Sequence, residues 1–128
     1  MPATSPEELH ERWVDGVNRG DLDDLTPLYE PDAAFVVRPG EIVAGLAAVR
    51  EATAGLLALR PRAALEPLVA VRTGDLALLI SRWRLTGTSP DGAPVEIGGQ
   101  TSDVARRQGD GTWRFAIDNP WGDAAAAT

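Results

Sequence analysis

At 128 residues with a formal net charge of −7 at pH 7, the chain has the size of one domain with one core. Its negative field repels phosphates, which excludes nucleic acid as a partner. It contains no cysteine, its twelve basic residues are all arginine, and His10 is its one histidine. Disulfides, thiolate nucleophiles, lysine Schiff bases, P-loops and multi-histidine zinc sites are thereby removed.

Ser5-Pro6-Glu7-Glu8 combines an N-cap serine, a proline at the first helical position and a capping-box glutamate, so a helix starts there. Leu9, Trp13, Val14 and Val17 form its apolar stripe, and Gly20 stops it. His10, one turn before Trp13, is expected at the surface. Asp21 caps a second, short helix with Leu22, Leu25, Leu28 and Tyr29 inward, shortened by Pro27 and ended by Pro31-Asp32. Residues 33–38 read as a short strand, Pro39-Gly40 as a turn, and 46–60 as a third helix with Leu46, Val49, Thr53, Leu56 and Leu57 on one side. Long strands follow at about 63–72, 76–86, 94–108 and 112–119, with turns at Thr73-Gly74-Asp75 and Gly109-Asp110-Gly111. Helices first and a meander afterwards predict an α+β fold. No segment approaches the ~18 apolar residues of a membrane span, and the first twenty residues hold no apolar secretory core. A cytoplasmic protein without a membrane partner is expected.

Three segments carry a family resemblance: Arg12-Trp13-Val14, Asn18-Arg19-Gly20-Asp21-Leu22-Asp23 and Pro31-Asp32-Ala33. Together with Gly45-Leu46-Ala47-Ala48-Val49-Arg50-Glu51 and Asp110-Gly111-Thr112-Trp113-Arg114, they resemble SnoaL-like polyketide cyclases and steroid Δ-isomerases of the nuclear transport factor 2-like superfamily. The resemblance implies a cone of three N-terminal helices packed on a curved, mixed but mostly antiparallel sheet. It implies one domain over 1–128, with a core at about 5–119 and a tail at 120–128. It further implies an apolar pocket for a small organic molecule, with no cofactor. Against the isomerase pattern, Trp13 stands where the oxyanion-hole tyrosine would be, and Val37 stands where the general-base aspartate would be. Asp103 matches the second, protonated oxyanion-hole residue. Against the limonene epoxide hydrolases, Thr101 replaces the arginine that bridges their two aspartates.

Strand periodicity gives Asp103 separate support. Val95, Ile97, Gly99, Thr101, Asp103 and Ala105 share one face, as do Trp113, Phe115, Ile117 and Asn119 on the last strand. With Gln108 opposite Thr112, Asp103 falls opposite Ile117 with Asn119 a diagonal away. A carboxylate on that apolar face loses water, so its pKa rises. Asp103 is therefore the candidate catalytic residue. Trp13, Val37, Ser81, Trp83, Thr101, Ile117 and Asn119 are the candidate ligand contacts, with Arg38 and Glu41 at the mouth. A Ser-His-Asp triad would have to recruit His10, and no serine lies in a G-x-S-x-G elbow.

Three functions stay open: an isomerase or cyclase acting on a polycyclic or polyketide-like substrate, a non-catalytic binding module, and a dimerisation module. A homodimer is expected through the outer sheet face. There Leu68, Ala70, Leu76, Leu78 and Ile80 oppose in parity the pocket-facing Val69, Val71, Leu79 and Trp83.

Overall fold

The structure, a computed structural model, describes residues 2–125. Helix α1 spans Pro6–Arg19, its N-terminus capped by the Ser5 hydroxyl, which accepts from the Glu8 N–H. A cap of this kind contributes about 1 kcal/mol. Gly20 closes the helix at φ +66°, a left-handed conformation that glycine adopts without Cβ strain. Asp21 caps α2, which is only Leu22–Leu25, followed by a 3₁₀ turn at Thr26–Leu28 that accommodates Pro27. The chain is extended from Tyr29 onward, so Pro31-Asp32 lies within strand β1 (Tyr29–Arg38) rather than ending a helix. Strand β2 (Glu41–Ala44), which periodicity did not reveal, pairs back onto β1, and α3 spans Leu46–Leu57.

Strands β3 (Arg62–Thr73) and β4 (Leu76–Thr88) form the long hairpin. The single strand expected at 94–108 is two, β5 (Pro94–Gln100) and β6 (Asp103–Arg107), before the final β7 (Trp113–Asp118). The sheet runs β2-β1-β7-β6-β4-β3, with β5 pairing with β4. The β1–β7 pair is parallel and the other pairs are antiparallel. Because β4 pairs with β6 through Leu76–Leu79 and with β5 from Arg82 onward, the break at Thr101-Ser102 lets the sheet bend around the helices. The result is the expected α+β cone of three helices on a curved, mixed, mostly antiparallel sheet.

The core lies between helices and sheet, around Leu9, Val17, Leu25, Tyr29, Leu85, Trp113 and Phe115, all at most 2 % exposed. Each buried Leu or Phe side chain among them contributes roughly 1.5–3 kcal/mol. No helix among the described residues is long and apolar enough to cross a membrane.

Two bulges alter the expected parity. In β3, Leu68 is the extra residue between the Pro67↔Ser81 and Val69↔Ile80 pairs. Pro67 cannot donate to a ladder, which suits this irregularity. Val69 and Val71 therefore sit on the outer face with Leu78 and Ile80, not in the pocket, while Ala70 pairs with the inward Leu79. In β7, Ala116 is extra, because Val104 pairs with Ile117 but Ala105 pairs with Phe115. Ile117 consequently points outward, 43 % exposed, and Asp118 takes the inner face.

Candidate functional site

A cavity of about 710 Å³ opens between α1, α3 and the concave face of the sheet, with an apolar wall of Phe35, Val37, Leu56, Leu65, Leu85, Ile97 and Phe115. At its inner end lie His10, Tyr29, Thr101, Asp103 and Asp118. Five elements deliver these groups. Helix α1 supplies His10, β1 Tyr29, the bend after β5 Thr101, β6 Asp103 and β7 Asp118.

His10 is the anchor, and its placement corrects the surface expectation. It is 6 % exposed and shares the buried face of α1 with Pro6, Leu9 and Val17. Its position four residues after Pro6 and seven before Val17 places it on that stripe, a signal present in the sequence. Its Nε2 lies 2.6 Å from Asp103 Oδ2 and its Nδ1 lies 2.9 Å from Ser81 Oγ. Asp103 Oδ1 accepts from the Asn119 N–H at 2.7 Å. The Tyr29 hydroxyl donates to Asp118 Oδ2 at 2.5 Å, and the Asp118 and Asp103 carboxyls also interact. A hydrogen-bonded chain therefore runs Tyr29, Asp118, Asp103, His10, Ser81.

Electrostatics limit the charge this chain holds. Burial pushes Asp103 up to about 7, against the opposing pull of the Asn119 N–H, Asp118 and Thr101. Asp118 is driven well above the usual carboxylate range, first by burial and then by the charge of Asp103. Burial also lowers His10, with Asp118 pulling the other way, and raises the Tyr29 phenol. Two carboxyls in contact inside an apolar cavity cannot both ionise, so above about pH 7 one negative charge sits on Asp103 while Asp118 keeps its proton. A base and a neutral acid thus stand side by side.

The remaining sequence candidates divide. Trp13, Val37, Trp83 and Thr101 line the cavity, as does Asp103. The Thr101 hydroxyl accepts from the Ser81 N–H and donates to the Leu79 carbonyl, tying the bend to β4. Ser81 is buried behind His10 and does not line the cavity. The order Ser81, His10, Asp103 is therefore no acyl-transfer triad, since its hydroxyl cannot meet a substrate. Ile117 is outside, for the bulge reason given above. Asn119 acts through its backbone, its side-chain amide donating to the Gly122 carbonyl. Arg38 and Glu41 both border the cavity and pair with each other at 2.6 Å.

Sequence reasoning missed Asp118 and Trp121. Asp118 was hidden by the Ala116 bulge, which no periodicity reveals. Trp121 lies in the segment expected as a tail, yet it lines the cavity, donates from Nε1 to the Val37 carbonyl at 3.2 Å and meets Trp83 edge to face at 5.4 Å. Trp83 Nε1 in turn donates to the Pro120 carbonyl at 2.5 Å. The described part of that tail, 120–125, is thus pocket wall ending in a 3₁₀ turn at Gly122–Ala125, while residues 126–128 lie outside the described residues.

Fold and site together define a helix-capped cone with a polar cluster at the closed end of an apolar cavity. The chain belongs to the SnoaL-like domain family, whose sequence model matches residues 10–118. Among solved structures it is similar to a nuclear transport factor 2-like superfamily protein from Salmonella enterica serovar Typhimurium. That match has a TM-score of 0.77 at 18 % identity, covering 88 % of this chain and 84 % of that one. A ketosteroid isomerase-like protein from Erwinia carotovora atroseptica matches at TM-score 0.76 and 21 % identity, with 88 % of each chain covered. A candidate dehydratase of the same superfamily from Streptomyces avermitilis matches at 0.75 and 19 %, covering 88 % and 90 %. At these identities the likeness concerns the fold. No curated protein matches the sequence.

Proposed function

We propose that this protein is an acid–base enzyme of the isomerase, cyclase or dehydratase type, acting on a small, largely apolar molecule that carries a carbonyl or hydroxyl group. The observation that carries this reading is the 2.6 Å contact of His10 Nε2 with Asp103 Oδ2 at the closed end of a 710 Å³ cavity. Above about pH 7 the Asp103 carboxylate is the base that takes a proton from carbon or oxygen of the substrate. The neutral Asp118, itself receiving the Tyr29 hydroxyl, is the adjacent acid that returns a proton or hydrogen-bonds a developing oxyanion. His10 holds Asp103 in place and spreads the charge toward Ser81. The apolar walls bind the carbon skeleton and exclude water.

Trp13 can donate to an oxygen through its indole N–H but cannot transfer a proton, and Val37 offers only contact. The base of this reading therefore sits on β6, and its partner acid on β7, rather than on β1.

A second reading, a non-catalytic binding module, draws support from the saturation of the cluster. His10, Asp103 and Tyr29 each already have a protein partner. A panel of neutral ketones, β-hydroxyketones and polycyclic enols, assayed for turnover and for binding with the unmodified protein and with Asp103→Asn, separates the two. Turnover lost in Asp103→Asn with binding retained supports the enzyme. Binding without turnover across the panel, unchanged in the variant, supports the module.

The outer face of β3, β4, β6 and β7 presents Val69, Val71, Leu76, Leu78 and Ile117 to solvent, 39–55 % exposed. We infer that a second copy of the chain covers it. Charged pairs such as Arg82–Glu66 and Arg107–Asp75 on the same hairpin and its neighbour are compatible with a self-complementary contact.

A further inference from the structure

The cluster contains two carboxyls, and the reading above needs one of them, Asp103, to be the ionised partner of His10. Geometry makes the two unequal. Asp118 receives a hydroxyl, from Tyr29, while Asp103 receives a backbone N–H from Asn119, the first residue after β7. Backbone donors of that kind are fixed only as firmly as the segment that carries them. Here the segment is held by side chains of the cavity wall: Trp83 donates to the Pro120 carbonyl, and Trp121 donates to the Val37 carbonyl. The Asn119 side-chain amide closes the loop on Gly122. Gly122 itself lies at φ +58°, and a Cβ there would come 2.6 Å from the Gln100 carbonyl oxygen, so the segment sits hard against the bend between β5 and β6.

We propose that residues 119–122 form a positioning strap, clamped by the Trp83 and Trp121 indoles, that holds the Asn119 N–H on Asp103. The strap thereby keeps Asp103 rather than Asp118 ionised and His10 in its Nε2–H tautomer. Trp121 is accordingly a positioning residue acting through Asn119. Both indoles line the cavity, so a ligand that fills it presses on the strap. The inference rests on the acid–base reading for its purpose but not for its test.

In this arrangement the Asp103 carboxylate accepts from His10 Nε2–H, and Nδ1 accepts from the Ser81 hydroxyl. If the Asn119 donor withdraws, the proton moves onto Asp103, which then donates to Nε2, and the imidazole proton passes to Nδ1, facing Ser81 Oγ. Charge and protons balance, because Asp118 gives up the proton that Asp103 gains and the imidazole stays neutral. The groups facing His10 are Asp103 of β6, Ser81 of β4, Asp118 of β7 and Tyr29 of β1, the last two through the cluster.

Because His10 is the one histidine in the chain, ¹⁵N-histidine NMR of the full chain reads its tautomer without assignment. Above about pH 7 the unmodified protein is expected to show Nε2–H. Gly122→Ala, which displaces the strap from a position that does not itself line the cavity, and Asn119→Pro, which deletes the donor, should both move the ratio about tenfold toward Nδ1–H. Trp121→Ala should do the same and serves where Asn119→Pro does not fold. Trp121→Phe, which keeps the ring against Trp83, should retain more of the Nε2–H form than Trp121→Ala. An Nδ1–H form in the unmodified protein, or an unchanged Nε2–H ratio in folded Gly122→Ala and Trp121→Ala, overturns the proposal. Neither readout needs turnover, so failure of the enzyme reading would show separately in the substrate panel.

Discussion

His10 and Asp103, 93 residues apart in sequence, meet at 2.6 Å inside the protein, both less than 10 % exposed. A contact this short between a helix and the far side of a bent sheet joins α1 to β6 chemically as well as by packing. Asp103→Asn preserves shape and is expected to lower turnover of a substrate by ~10²–10⁴-fold, the usual contribution of a positioned acid–base group. His10→Ala should instead leave a buried carboxyl and the Ser81 hydroxyl short of a partner. It is expected to destabilise the fold by roughly 1–3 kcal/mol per orphaned group, measured by urea unfolding.

Stability should fall as pH rises above 6.5. Unfolded, Asp103 releases its proton near 3.8, but folded it holds it up to about 7, so between those values the native state carries the extra proton and every rise in pH favours unfolding. Asp118 acts in the same direction and to higher pH. Buried His10 opposes them, because its folded value lies below 6.5, but that opposition is complete once pH passes 6.5. Melting temperature scanned from pH 6.5 upward should therefore decline, and Asp118→Asn should flatten the decline. A curve that rises over this range would contradict the burial assigned to both carboxyls.

Trp83 and Trp121 form one edge-to-face pair in the cavity wall. A hydrophobic polycyclic ligand should change tryptophan emission on binding. Trp83→Ala should weaken binding by about tenfold or more, through lost apolar contact. Unaltered affinity in that variant would remove Trp83 from the ligand's surroundings.

If the outer face is a dimer interface, Val71→Asp, at 55 % exposure in the single chain, should leave the fold intact and convert a dimer into a monomer in sedimentation. A monomer already in the unmodified protein at micromolar concentration would leave that face to another partner.

Much of the fold was legible because its signals are local. Ser5 and Gly20 bound α1, Asp21 starts α2, and Gly109-Asp110-Gly111 sets the last turn, where the Gln108 N–H does bond the Thr112 carbonyl. The alternation through Thr101, Asp103 and Ala105 placed Asp103 inward because the break at 101–102 preserves parity. What was not legible depends on single extra residues or on distant partners. Leu68 and Ala116 each reverse the faces beyond them. Trp121 is drawn into the wall by carbonyl and ring partners that no local pattern announces.

The Ala116 bulge is also a lever on chemistry. Were Ala116 to take a regular place in the ladder instead of bulging, alternation from Phe115 would turn Ile117 into the cavity and Asp118 out to solvent. The inner end would then hold one carboxyl with a greasy neighbour, and its acid, its phenol contact and its shared proton would vanish together. In this cone a slip of the strand pairing by a single residue rewrites the reactive groups wholesale, where a substitution would alter only one of them.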